Sequence, residues 1–484
     1  MKKIVFNPYL PSYEYMPDGE PHLFEGRLYV FGSHDKFGGK VYCENDYTCW
    51  SAPEDDLSDW KCEGIVYRRT QDPTPCGLLH THMWAPDVCR GADGRYYLYY
   101  AMEWYNRVGV AVAQTPAGPY EYYGEVRYED GTRYGGRENE RIRFDPAVLH
   151  EDGVTYLYTG FSSDRMGFLC KIAHINITGE GSTVVRLGKD MLTIEGEPKM
   201  LLPGTRNSAG TGFEGHEFYE AMSMRKFGEK YYAVYSSVLS HELCYAVSDR
   251  PDGGFQFGGP LHSNGNIFGG SPAQYYWGND HGGIECVNGK YYIFGHRQTG
   301  KNECSRQGVA EPVRFEDGKF FPAEMTSQGL YGKPLPAEGS YEAGIACVLK
   351  SKQGACKVTK MRGKKHPYIT QDGKDRESDP AQYVANFGDG CVAGYKYFSI
   401  PEGAQLTLTV RGHHGRRAKG KLQVSSDETF SRVSEAAWNG AKESRVSLNL
   451  PFQGTCTLYV RFLGKGAVDL ISLQFGNRKI PFAE

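Results

Sequence analysis

No stretch of this 484-residue chain approaches the roughly 20 consecutive apolar residues that a membrane-spanning helix needs. The first residues, MKKIVFNPYLPSYEY, carry two lysines but no apolar run of signal-peptide length. Cysteine occurs thirteen times without one C-x-x-C pair or metal-like Cys/His spacing, which excludes the common zinc and redox motifs. Reduced, mostly buried thiols in a cytoplasmic protein are the expectation. Charge of one sign is also missing, since 55 basic residues stand against 58 acidic ones for a net charge of −3. A nucleic acid or an anionic membrane surface calls for a basic patch or stripe, so neither partner is expected. Helical periodicity is the last absence: before about Gly329 the apolar residues alternate and do not recur at three and four.

What the chain has in quantity is 61 Gly, 35 Tyr and 24 Phe, a composition natural to a turn-rich all-β protein. Amphipathic rings in such number also suit sugars, stacking on the C–H face of a pyranose while their polar tips stay hydrated. A turn glycine leads into a Tyr-rich run five times: EGRLYVFG (25–32), DGRYYLYY (93–100), DGVTYLYTG (152–160), GEKYYAVYS (228–236) and NGKYYIFGH (288–296). Each reads as a tight turn feeding a half-buried strand. The copies stand about 60 to 75 residues apart, a four-stranded blade with generous loops. The expectation is a five-bladed β-propeller over residues 1–330. Segments such as SAPEDDLSDW, ending on Trp60, TPAGPYEYYG and DRPDGGFQFGG break the chain ahead of outer strands. LPAEGSYEAG (335–344) reads as a boundary. Beyond it the Tyr-strand signal stops, and short alternating strands predict a β-sandwich over 340–484.

A propeller gathers the innermost strands of its blades around one funnel, where acids distant in sequence converge. Asp18, Asp145 and Glu220 each lie eight positions ahead of a turn glycine, Gly26, Gly153 and Gly228, and so at equivalent points of three preceding strands. Asp145 precedes Pro146, a pair also favoured in turns. Glu220 lies among aromatic and small residues, where an unpaired acid is expensive to bury.

The ordered set PDGEPHLFEGRLYVFGSHD, MWAPDV, FDPAVLHEDG, FYEAMSMRKFGEKYYAVYSS, NDHGGIECVNGKYYIFGHR and SRQGVAEP resembles glycoside hydrolase family 43, the five-bladed propeller arabinofuranosidases and xylosidases, over about residues 7–325. The resemblance implies an inverting glycosidase with Asp18 as general base, Glu220 as general acid and Asp145 orienting the acid and keeping its pKa raised. The family's usual Asp-Pro at the base is Asp18-Gly19 here, with Pro21 displaced, which leaves Glu20 as the alternative. It further implies that Trp84 stacks in the pocket, that Arg306 reaches sugar hydroxyls and catalytic carboxylates, and that His281 either touches the sugar or helps hold a calcium ion through water. No cofactor is required for the chemistry. Asp87 is expected to be structural. The second domain is similar to a family 6 carbohydrate-binding module, with Trp438 and Tyr395 as candidate sugar platforms, or acts as a structural partner closing one side of the funnel.

The expected activity is release of terminal arabinofuranosyl or xylosyl units from plant-derived oligosaccharides. Endo-arabinanase action on the same fold and a non-catalytic sugar-binding propeller are the alternatives. The retaining, fructan-active propellers need a Trp-Met-Asn-Asp-Pro-like segment, which is absent.

Overall fold

The computed structural model of the chain describes residues 4–74, 82–103, 105–164, 176–361, 365–376 and 381–476. Tight turns set its pleat. Glu25-Gly26, Asp152-Gly153 and Asn288-Gly289 hold both central residues at positive φ, the type I′ geometry whose twist matches that of paired strands. These turns join the first and second strands of blades one, three and five, and the five Tyr-rich runs are the second strands of five successive sheets. They are Tyr-rich because both their faces are covered: YYLYYAM in the second blade is buried at every position.

The first blade is β1 (Glu20–Phe24), β2 (Arg27–Phe31), β3 (Tyr47–Pro53) and β4 (Lys61–Tyr67). The second is β5 (Asp87–Arg90), β6 (Tyr96–Met102), β7 (Tyr105–Ala113) and β8 (Glu121–Glu125). The third is β9 (Ala147–Glu151), β10 (Val154–Thr159), β11 (Gly181–Leu187) and β12 (Ile194–Pro203). The fourth is β13 (Phe218–Phe227), β14 (Lys230–Ser237), β15 (Glu242–Ser248) and β16 (Gln256–Ser263). The fifth has three strands, β17 (Ile284–Val287), β18 (Lys290–Gln298) and β19 (Arg306–Val313), all paired in sequence order like the rest. First strands adjoin around the centre, β5 against β9, β9 against β13, β13 against β17 and β17 against β1. This is a five-bladed β-propeller.

Beside β19 the chain's beginning takes the outer place. Asn7 Nδ2 donates to Ala310 O at 3.3 Å, to Thr326 O at 3.0 Å and to Glu311 Oε1 at 2.7 Å, while its Oδ1 accepts from Ala310 N at 2.9 Å. The amide side chain copies the ladder bonds that a neighbouring strand would make. Trp60 directly precedes β4 and packs on Tyr9, ring centroids 5.1 Å apart.

Two sheets of six strands follow. One is centred on Val392–Ile400, Gly454–Lys465 and Ala418–Ser425, the other on Gln382–Gly388, Ala467–Phe475 and Gln405–Gly412. Their first pairing, Leu335 with Phe398, begins ahead of the expected boundary at 340. Their inner faces form one core that also takes in Tyr275, Tyr276 and Val309 of the propeller. Trp438 and Tyr395 belong to that core and are not platforms for sugar. Tyr395 is fully buried and donates to Ala343 O at 3.2 Å, and Trp438 is 6% exposed with its Nε1 on Ser444 Oγ at 2.7 Å. Alternation picks out the strand of Tyr395 but does not single out that of Trp438, Val433–Gly440, and an inward and an outward ring look alike in a sequence.

Candidate active site

The eight-residue offset places the acids in register. Asp18 and Asp145 stand two residues ahead of β1 and β9, both at positive φ, and Glu220 sits in a bulge of β13 whose next residue, Ala221, has φ 68°. A backbone twisted out of the pleat at the mouth of each blade turns these side chains from the sheet into the funnel. His281 obeys the same count, eight ahead of Gly289 in the fifth blade, a signal that finds it without any resemblance. All four line one cavity of about 420 Å³ together with Trp84 and Arg306, so the residues read from the sequence converge. Asp87 and Glu20 do not line it.

Asp18 is held as an anion. Arg306 Nη1 donates to its Oδ1 at 2.8 Å, Ser33 Oγ donates to its Oδ2, and His296 Nδ1 lies 3.1 Å from Oδ1. Burial opposes ionisation, but the Arg306 guanidinium, aided by His296 and His281, outweighs it and holds the carboxyl well below the usual range. Arg306 is in turn fixed by Asp35, which accepts its Nε at 2.9 Å, its Nη2 at 3.0 Å and its backbone N at 2.9 Å. Glu220 goes the other way: enclosure in the pocket first, then the Asp18 charge, push it up to about 8. Burial, then the charges of Glu220 and Asp18, raise Asp145 well above the carboxylate range. One ionised acid facing two protonated ones is the separation that acid–base chemistry at neutral pH requires. Burial lowers His281 to about 4, leaving it a neutral hydrogen-bonding ring 3.6 Å from Asp145 Oδ2.

The donor set at His281 does not fit calcium, which takes about six to eight oxygens. The nearby Asp18 Oδ1, 3.9 Å away, already carries a guanidinium, and a divalent ion there would meet that charge. Among the described residues the tight groups of ligand-type side chains are Glu20, His22 and Asp87, and His216, Glu242 and Cys244. Both are satisfied internally. In the first, deep in the channel, Arg225 lies 2.7 Å from Glu20, which also accepts Ser223 Oγ at 2.6 Å, and His22 Nε2 lies 2.6 Å from Asp87. Asp87 also accepts Val148 N at 2.7 Å, so it ties three blades together. In the second, Glu242 Oε1 accepts from His216, Ser237 and Cys244.

Sequence reading missed the walls. Trp84 packs on Phe144 at 4.4 Å, Phe144 on Phe161 at 5.3 Å and Phe161 on Tyr219 at 5.0 Å, an aromatic arc along one side. Phe144 and Tyr219 each directly precede a pocket acid, a signal available without structure. The loops 35–45 and 299–305 also line the cavity and meet where Tyr42 OH donates to Glu303 Oε2 at 2.9 Å. Lys357, beyond the sandwich's first strands, also lines the cavity.

Such a pocket, lined by three acids on a five-bladed propeller, agrees with a glycoside hydrolase. The chain belongs to glycosyl hydrolases family 43, whose model matches residues 21–320. A xylosidase/arabinosidase of Thermoclostridium stercorarium is 46% identical over 486 residues, 98% of this chain and 99% of that one. One of the same name from Bacteroides ovatus is 31% identical over 342 residues, covering 65% of this chain and 97% of its own. Among solved structures, a GH43 enzyme from Xanthomonas citri complexed with xylose shares the fold at a TM-score of 0.51 and 23% identity, covering 68% of this chain and 95% of its own.

Proposed function

We propose that this glycoside hydrolase removes terminal xylosyl or arabinofuranosyl units from oligosaccharides with inversion at the anomeric carbon. The observation that carries the reading is the single cavity in which Asp18 is stabilised as an anion while Glu220 is pushed up to about 8. Asp18 takes a proton from water as the water attacks the anomeric carbon. Glu220 gives its proton to the departing oxygen from the opposite side, a geometry that calls for about 6.5 to 9.5 Å between the carboxyls. Asp145 shares the pocket with the acid and orients it, while burial and the charge of Asp18 favour the acid's protonated form. Arg306, locked by Asp35, holds Asp18 in place, His281 meets sugar hydroxyls, and Trp84 with Phe144 covers the apolar face of the ring. Side chains thus supply both proton transfers.

The relatives named xylosidase/arabinosidase support pentosyl release over endo-arabinanase action, since the endo-arabinanase from Thermotoga petrophila is 25% identical over 69% of this chain. Cytoplasmic work on imported sugars belongs to the same proposal, supported by the free thiols of the described cysteines. The deciding experiment sets 4-nitrophenyl xyloside and arabinofuranoside side by side and follows the first-formed sugar by proton NMR. Inverted anomer is expected; retained anomer removes the two-carboxyl scheme, and binding without hydrolysis makes the protein a lectin.

A further inference from the structure

Lys357 is a cation from outside the propeller in a pocket otherwise built by the blades. Its backbone is clamped in place: residue 357 bridges Trp277 in parallel, and Val358 N donates to Trp277 O at 2.7 Å. Trp277 opens the stretch that runs through Asn279, another pocket residue, to His281. The side chain is half-buried, yet its ammonium has no hydrogen-bond or ion-pair partner among the described residues. By contrast Lys350 and Lys396, nearby in the same domain, are paired with Glu428 and Glu324. An ammonium with no protein partner loses hydration when a ligand fills the cavity it lines, so a ligand that supplies acceptors there is favoured. It lines the same cavity as Glu220 and is one of the cations working against the burial that raises that carboxyl.

The acid must face the bond to the leaving group. A donor carried on a clamped backbone and sharing the cavity with that acid is placed to meet the sugar that departs. We propose that Lys357 is a specificity-determining residue that binds the hydroxyl groups of the leaving-group sugar. The second domain thereby completes the reception of an oligosaccharide.

The rest of that domain holds the site's wall in the same place. Asp375 accepts Phe37 N at 2.7 Å, Arg376 Nη1 lies 3.2 Å from Glu14, and Ile369 O accepts Gly300 N at 2.8 Å. These contacts pin the chain on both sides of the Tyr42–Glu303 seam. The inference rests on the glycosidase reading and adds to it the origin of the leaving-side contact.

The test compares wild type, Lys357→Met and Lys357→Arg on xylotriose and on 4-nitrophenyl xyloside, or on the matching arabinosides if those are the substrates. Losing a charge-assisted donor should raise KM for the trisaccharide about tenfold while kcat stays within about twofold. KM for the nitrophenyl glycoside, which has no hydroxyls on its leaving group, should change less than about twofold, and arginine should restore most of the trisaccharide affinity. Equal changes on both substrates, or none on either, overturn the assignment while the glycosidase reading stands. A folded wild-type chain that hydrolyses neither compound overturns both.

Discussion

At the scale of single residues, the site works by pushing like groups apart. Asp18 and Glu220 are both carboxylic acids, and only their surroundings hold one ionised and the other protonated. The proposed mechanism needs Asp18 ionised and Glu220 protonated. It should therefore fall as pH rises through about 8, where Glu220 loses its proton, and hold far into the acid range because Asp18 stays ionised there. A kcat/KM profile checks both limbs. Glu220→Ala should lower turnover of natural linkages about a thousandfold, yet cost much less on aryl glycosides whose leaving group needs no proton. Equal losses on the two substrates would contradict the acid role. In Arg306→Met, Asp18 should titrate nearer an ordinary carboxyl, moving the acid limb upward.

At the scale of elements, a count of residues between an acid and a turn did much of the work. Gly282 shows how tightly that register is built. A Cβ there would meet the Phe294 carbonyl oxygen at 1.5 Å, and the same residue bridges Gly19 beside Asp18. Gly282→Ala should cost about 3 kcal/mol in a denaturant titration and lower activity by displacing both His281 and Asp18. The Tyr-rich second strands and the three acids were readable because a blade repeats one hairpin, and repetition survives without tertiary knowledge. The second blade breaks the count: its first turn spans residues 91–95, longer than the others. The loops 35–45 and 299–305 and the Lys357 segment carry no period at all. They became walls of the site only through contacts between segments far apart in the chain, such as Tyr42 with Glu303, 261 positions away, which no local pattern encodes. The buried state of Trp438 was unreadable for a different reason: a strand's two faces exchange identity with a one-residue change of register.

At the scale of the whole molecule, propeller and sandwich are one packed body, not a catalyst with a tether. Arg297 of β18 is 2% exposed and spends its guanidinium on Gly344 O at 2.7 Å and Gln382 Oε1 at 2.9 Å, both in the second domain. The ring closes at Asn7, whose loss strands donors and acceptors on β19. Asn7→Ala should lower stability by about 3 kcal/mol. Asn7→Asp, the same size but with an oxygen in place of the donor that meets Glu311, should cost at least as much. Chemical denaturation of the two variants measures this, and an unchanged midpoint would show that the amide does not carry the closure.

That clasp also sets an order of events during synthesis. Residue 7 leaves the ribosome long before Ala310, its partner 303 positions later, so the ring cannot be clasped until the last strand of the fifth blade has been made. Until the last blade is translated the hydrolytic centre does not exist, because Arg306 and His281 arrive with it.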